Sequence, residues 1–158
     1  MTRLARHPVR WSAIAALGLA ACSSAPAPST TTATSPSAPQ PPAPRRPAKT
    51  VQLNAPGEPV DVAAALPAGY VTVVDFWSET CEPCKTFGRM LDDGVADEPR
   101  VVIRKIDVGD GFTPVAEAYQ ISALPRFFVY DQHRRLRYDL VGPDCRDAAT
   151  YARRLAAE

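Results

Sequence analysis

Two cysteines in Cys81-Glu82-Pro83-Cys84 are the residues of this 158-residue chain whose type and spacing can do chemistry. A Cys-x-x-Cys pair has two uses: half of a tetrahedral zinc site, or a dithiol that opens and closes as a disulfide. Zinc needs four ligands, and the chain offers few. There is no second Cys-x-x-Cys, and the two histidines are His7, near the N-terminus, and His133, in a stretch that reads as a turn. Cys22 and Cys145 each stand alone. Cys145, near the start of a helical stretch, reads as a small buried apolar group rather than an additional redox residue.

The pair must be positioned by the elements around it. From Val51 onward, short β-branched and aromatic runs alternate with helical stretches, the pattern of an α/β sandwich rather than a bundle or a β-barrel. Tyr70 to Trp77 is a near-continuous apolar run expected of a strand buried on both faces, and it leads directly to the cysteines. A helix then runs from about Cys81 to Leu91. Upstream, Val60 to Leu66 reads as a first helix. Downstream, Val101 to Asp107 reads as a strand, and Thr113 caps a helix that has Pro114 in its first position and reaches about Tyr119. Phe127 to Tyr130 and Leu136 to Val141 read as a hairpin around an Asp131-to-Arg135 turn, and Asp144 caps a last helix that ends at Leu155. With an initial strand, the expected order is β-α-β-α-β-α-β-β-α.

At the junction of strand and helix, Val74-Asp75-Phe76-Trp77-Ser78-Glu79-Thr80-Cys81-Glu82-Pro83-Cys84-Lys85 resembles the active-site segment of thioredoxins. Forty-one residues after Cys84 comes Pro125, in Leu124-Pro125, similar in context and spacing to that family's cis-proline. Lys105, and Val141-Gly142 ahead of the last helix, also fall where the family has a lysine and a glycine. The resemblance covers about residues 51 to 158. It implies the thioredoxin fold, a central mixed β-sheet flanked by helices, and a redox-active Cys81-Cys84 disulfide that needs no cofactor and no metal.

The resemblance also implies roles, each with a physical basis. Cys81, at a helix N-terminus, faces unpaired N–H groups and the positive end of the dipole, which favour its thiolate and make it the nucleophile. Cys84, one turn further in, is the resolving thiol. Pro83 fixes φ inside the first turn. Asp75 interrupts an apolar strand, so burial should raise its pKa and let it take a proton from Cys84, with Lys105 as a partner. Trp77 is half core and half platform beneath the site. Leu124 and Pro125 would present backbone to an extended substrate. Three departures from the family stand out: Thr80 in place of a tryptophan, Glu82 in place of a glycine, and Arg126 in place of a threonine. Glu82 should oppose the Cys81 thiolate, and Arg126 would favour it if it points that way. Cys-Glu-Pro-Cys also resembles extracytoplasmic reductases of cytochrome c maturation, but their extra segment before the cis-proline has no room here.

The first fifty residues are of another kind. Arg3, Arg6 and Arg10 precede an apolar stretch from Trp11 to Ala21, too short to span ~30 Å of hydrocarbon and of the length expected in a secretory signal. Leu19-Ala20-Ala21-Cys22 resembles a bacterial lipobox, which implies cleavage after residue 21 and a lipid on Cys22. Residues 22–50, rich in Ala, Pro, Ser and Thr, read as a disordered tether to a domain of residues 51–158. From Glu58 onward, twelve basic residues stand against 17 acids, a net of −5, which gives no case for nucleic-acid binding.

The expected protein is thus a monomeric protein-disulfide reductase outside the cytoplasm, facing the periplasm or the cell surface. Its partners are protein disulfides or thiols, a separate redox donor, and a membrane reached through the lipid. An oxidase or isomerase of the same fold, a non-catalytic module presenting the Leu124-Pro125 groove, and a copper or zinc carrier using both thiolates are the competing readings.

Overall fold

The computed structural model describes residues 45–158. The expected signal, Cys22 and nearly all of the tether lie outside the described residues. Among those described, no helix is long and apolar enough to cross a membrane. The elements are β1 (Thr50–Gln52), β2 (Val71–Trp77), α1 (Glu82–Gly94), β3 (Val101–Asp107), α2 (Pro114–Ala118), β4 (Arg126–Tyr130), β5 (Leu136–Val141) and α3 (Ala148–Ala157). The strands form one mixed sheet in the order β1-β3-β2-β4-β5. β3 lies parallel to both β1 and β2, while β4 runs antiparallel to β2 and β5.

The central strand β2 is apolar but for Thr72 and Asp75 because both its faces are covered. Side chains alternate along a strand, so Val71 and Val73 join Leu91, Val95, Leu155 and Ala152 beneath α1 and α3. Val74 and Phe76 join Val62, Leu66, Val115 and Ile121 on the opposite face. There Phe76 packs edge-on to Phe128 with ring centroids 4.9 Å apart. Full burial of such side chains is worth about 1.5–3 kcal/mol each. By the same alternation Asp75 falls on the α1 face, fully buried.

Three expected elements change form. Between Pro59 and Pro67 only the 3-10 turn Ala63–Ala65 forms, where a helix over Val60 to Leu66 was expected. Seven residues barely nucleate a helix, and the residue before a proline is biased away from helical geometry. Tyr119 takes up the freed backbone groups, accepting from the Val62 N–H at 2.9 Å and donating to the Val60 carbonyl at 2.7 Å. Second, α1 runs three residues beyond Leu91, to Gly94, where the missing side chain makes room: a Cβ there would lie 2.6 Å from that of Ala149 on α3. Third, Asp144 does not cap the last helix. The chain makes a 3-10 turn over Gly142–Asp147, which buries Cys145, and α3 follows without a side-chain cap.

The β4–β5 turn is held by Asp131, whose carboxylate accepts from the His133 and Arg135 amides at 2.9 and 3.0 Å and pairs with the Arg135 guanidinium at 2.8 Å. Burial acts to raise its pKa, but these hydrogen bonds and a further one from Arg137 outweigh it and hold the carboxyl far below the ordinary range.

Candidate functional site

β2 ends at Trp77, and α1 begins at Glu82 after four intervening residues. Cys81 is the N-cap of α1, and its Sγ accepts the Cys84 N–H at 3.2 Å. The sulfur therefore takes the position of the oxygen in an ordinary cap and satisfies one of the donors a helix start leaves unpaired. Pro83 sits in the first turn, where its missing N–H leaves no gap. Cys81 and Cys84 are joined as a disulfide, with Cα atoms 5.3 Å apart. The two sulfurs differ in access: Cys81 is half-buried, whereas Cys84 is buried.

Cys84 and Gly88 are one helical turn apart on the same face of α1, and both are buried. That face meets Asp75. A Cβ on Gly88 would stand 3.4 Å from Asp75 Oδ2 and 3.3 Å from Lys105 Nζ, so the glycine lets the helix lie close over the pair. Asp75 and Lys105 are directly paired in register across β2 and β3. Their ion pair closes at 2.5 Å, with the Lys105 side chain 24% exposed and Asp75 wholly buried. Burial raises the Asp75 pKa above the usual carboxylate range; the attraction and hydrogen bond of Lys105 pull the other way without cancelling it. Asp75 Oδ1 has no hydrogen-bond partner among the described residues. Burial with only partial compensation keeps this carboxyl ready to hold a proton.

Trp77, half-buried, donates its indole N–H to Gln52 Oε1 at 3.1 Å, and Lys105 Nζ lies 5.4 Å from its ring centre. The Leu124–Pro125 peptide is cis and immediately precedes β4. The Pro125 carbonyl accepts the Gly142 N–H at 2.8 Å. Gly142 has φ +57°, a conformation that favours glycine. The Cys145 thiol donates to the Pro125 and Leu140 carbonyls at 3.5 and 3.4 Å, and burial pushes its pKa up to about 12. It is an inert thiol supporting the proline loop.

Arg126 is engaged differently from the sequence expectation. Its guanidinium pairs with both carboxylate oxygens of Asp139, at 2.8 and 2.6 Å, and donates to the Gln120 carbonyl at 2.8 Å. An arginine fork matches a carboxylate in this bidentate way, so its charge is compensated within the β4–β5 pair and does not serve the Cys81 sulfur. Glu82 is likewise not free: Lys85 bridges Glu79 and Glu82 at 3.0 and 3.3 Å. Sequence reasoning missed Gln52, Gly88 and Asp139. Gln52 and Asp139 act across strands, and only the pairing register shows them. Gly88 carried a signal, as an isolated glycine inside a helical stretch usually has a packing reason. Among the described residues, no three His, Cys, Asp or Glu side chains gather as a metal site.

Residues 63–152, more than half of the chain, match the sequence model of the family described as Thioredoxin. The chain is 33% identical over 63 residues to a thioredoxin of Chlamydia pneumoniae, covering 40% of this chain and 61% of that one. It is 43% identical over 54 residues to mitochondrial thioredoxin of Mus musculus, covering 34% and 32%. Both alignments thus span less than two thirds of these relatives' length. The crystal structure of Schistosoma mansoni thioredoxin superposes with a TM-score of 0.53 at 26% identity, covering 67% of this chain and 94% of the other.

The Asp75 carboxyl gives a signed test. Its folded pKa is raised, so above the unfolded value of about 4 ionisation favours the unfolded chain, and stability falls as pH rises from there through the folded pKa. Asp75→Asn removes that penalty, and the partly exposed Lys105 can hydrate. We predict a thermal midpoint at pH 7 raised by at least about 4 °C, roughly 1 kcal/mol in a domain of this size. The gain should vanish below about pH 4; melting curves at a series of pH values check both.

Proposed function

The chain belongs to the thioredoxin family, and from that premise we propose that it is a protein-disulfide oxidoreductase working mainly as a reductase on exported proteins. The observation that carries the reading is the Cys81 sulfur seated on the first turn of α1 while Cys84 is buried behind it. In the reduced protein the same amide and the helix dipole favour the Cys81 thiolate. That thiolate attacks one sulfur of a substrate disulfide, and the other substrate sulfur leaves as a thiolate. Cys84 then gives its proton to Asp75 and attacks the Cys81 sulfur. The second substrate thiol is released, and the Cys81–Cys84 disulfide holds the oxidising equivalents. Two electrons have passed to the substrate, and a separate dithiol donor returns them.

Asp75 suits the proton-accepting role because it is buried, short of hydrogen bonds, and under the helix face that carries Cys84. Lys105 tempers its basicity. Trp77, Pro83, Leu124 and Pro125 shape the surface on which the substrate chain lies, and the free backbone beside the proline pairs with an extended segment. Arg126 contributes there by fixing the Gln120 carbonyl rather than by charge. The location follows from the leader: a lipid on Cys22 and the tether behind it keep the domain at an extracytoplasmic membrane surface.

Insulin reduction by dithiothreitol tests the chemistry. Cys81→Ser should fall to the uncatalysed rate, while Cys84→Ala should accumulate a mixed disulfide visible on a non-reducing gel; equal rates for wild type and Cys81→Ser would sink the reading. For the location, the full chain expressed in a bacterium fed labelled palmitate should incorporate the label, and Cys22→Ser should not. Equal labelling of both would refute the anchor.

A further inference from the structure

The loop between β3 and α2 is a ridge with a hollow on either side. One hollow, of about 200 Å³, is lined by Pro56, Glu79, Thr80, Asp107 and Asp110 and lies beside the residue that precedes Cys81. Thr80, small where the family resemblance has a tryptophan, borders it. The other, of about 940 Å³ and open to solvent, is lined by Phe112, Pro114, Ile121, Ser122 and Arg126, and so reaches the residues flanking Leu124–Pro125. Phe112 stands on its rim with 97% of its surface exposed, whereas the other exposed large apolar side chains among the described residues lie between 37% and 48%. An apolar side chain left fully in water beside a hollow that Pro114 and Ile121 line is the arrangement of a surface that is covered in use.

The unpaired charges around the ridge are of one sign. Glu79, Asp107 and Asp110 line the small hollow and Glu117 the large one. The nearby cations are spent: Lys85 bridges Glu79 and Glu82, and Arg126 is held by Asp139. No cation of the two hollows balances Asp107, Asp110 and Glu117. Such a rim repels an anionic lipid surface and favours a basic polypeptide.

We infer that the ridge selects the substrate, and that its occupant is an extended disulfide-bearing segment with a large apolar residue on one side of its cysteine and a lysine or arginine on the other. The apolar side chain lies against Phe112, Pro114 and Ile121, and the basic one against the Thr80 hollow. This inference rests on the reductase reading above.

The test uses the full chain and two disulfide-linked peptide dimers of equal length, one with Lys and Leu flanking its cysteine and one with Glu and Ser. Wild type should reduce the Lys/Leu dimer with a kcat/KM at least about tenfold higher, the discrimination expected of one buried apolar contact. Phe112→Ala should lose most of that preference while leaving the Glu/Ser dimer, the rate at which dithiothreitol reduces Cys81–Cys84 and the melting temperature unchanged. Asp110→Asn should lower the preference and its sensitivity to salt. Equal turnover of both dimers by wild type, or an equal effect of Phe112→Ala on both, overturns the inference and leaves the reductase reading standing. Turnover of neither overturns both. A Phe112→Ala change in sedimentation without a change in peptide preference would assign the ridge to a second copy of the chain, and overturns it as well.

Discussion

The sulfur of Cys81 sits where a serine or aspartate oxygen would cap an ordinary helix, taking the Cys84 amide at 3.2 Å. A thiolate is a larger and softer anion than a carboxylate, but it answers the same need, because the first turn of a helix has donors with no partner. The rest of the site is arranged around that requirement. β2 ends four residues short of α1, so its buried apolar run fixes the position of the cap. Pro83 allows the turn to start at once. Burial of Cys84 one turn in leaves a single sulfur for a partner to reach.

Two buried carboxyls, one beneath α1 and one in the β4–β5 turn, show how environment sets chemistry. Asp131 accepts two backbone amides and faces two guanidinium groups, so it stays ionised and anchors the hairpin. Asp75 has one cation and an orphan oxygen, so burial dominates and its proton is held to higher pH. Asp75 lies in the middle of the sheet and Asp131 in a turn at its edge, so depth and hydrogen-bond supply act together. A hairpin anchor does best with a fixed charge, and a proton acceptor does best with an unsatisfied one.

Much of this was legible in the sequence. The β3 bounds, the β5 bounds, the Thr113 cap with Pro114 behind it, and the burial of Asp75 follow from periodicity and local chemistry. The Thr113 hydroxyl accepts the Ala116 N–H as a cap should. What did not follow depends on contacts distant in sequence. Val60 to Leu66 has helical composition, yet the prolines at either end and the Tyr119 hydroxyl decide its form. Arg126 reads as a free charge next to the proline until β5 brings Asp139 opposite. Gln52 has no reason to be singled out until β1 adds to the sheet edge and places its amide against the Trp77 indole. Phe112 reads as one loop residue among several, and only its exposure beside a hollow gives it meaning.

The chemistry of the site depends on the α1 N-terminus acidifying one thiol. Alkylation of the reduced protein with iodoacetamide, followed across pH by mass spectrometry of the Cys81 peptide, measures it directly. Half-maximal reactivity is expected at least about one pH unit below the ordinary cysteine value of about 8.5, with Cys84 and Cys145 reacting far more slowly. A Cys81 that titrates like a cysteine in an unstructured peptide would contradict it.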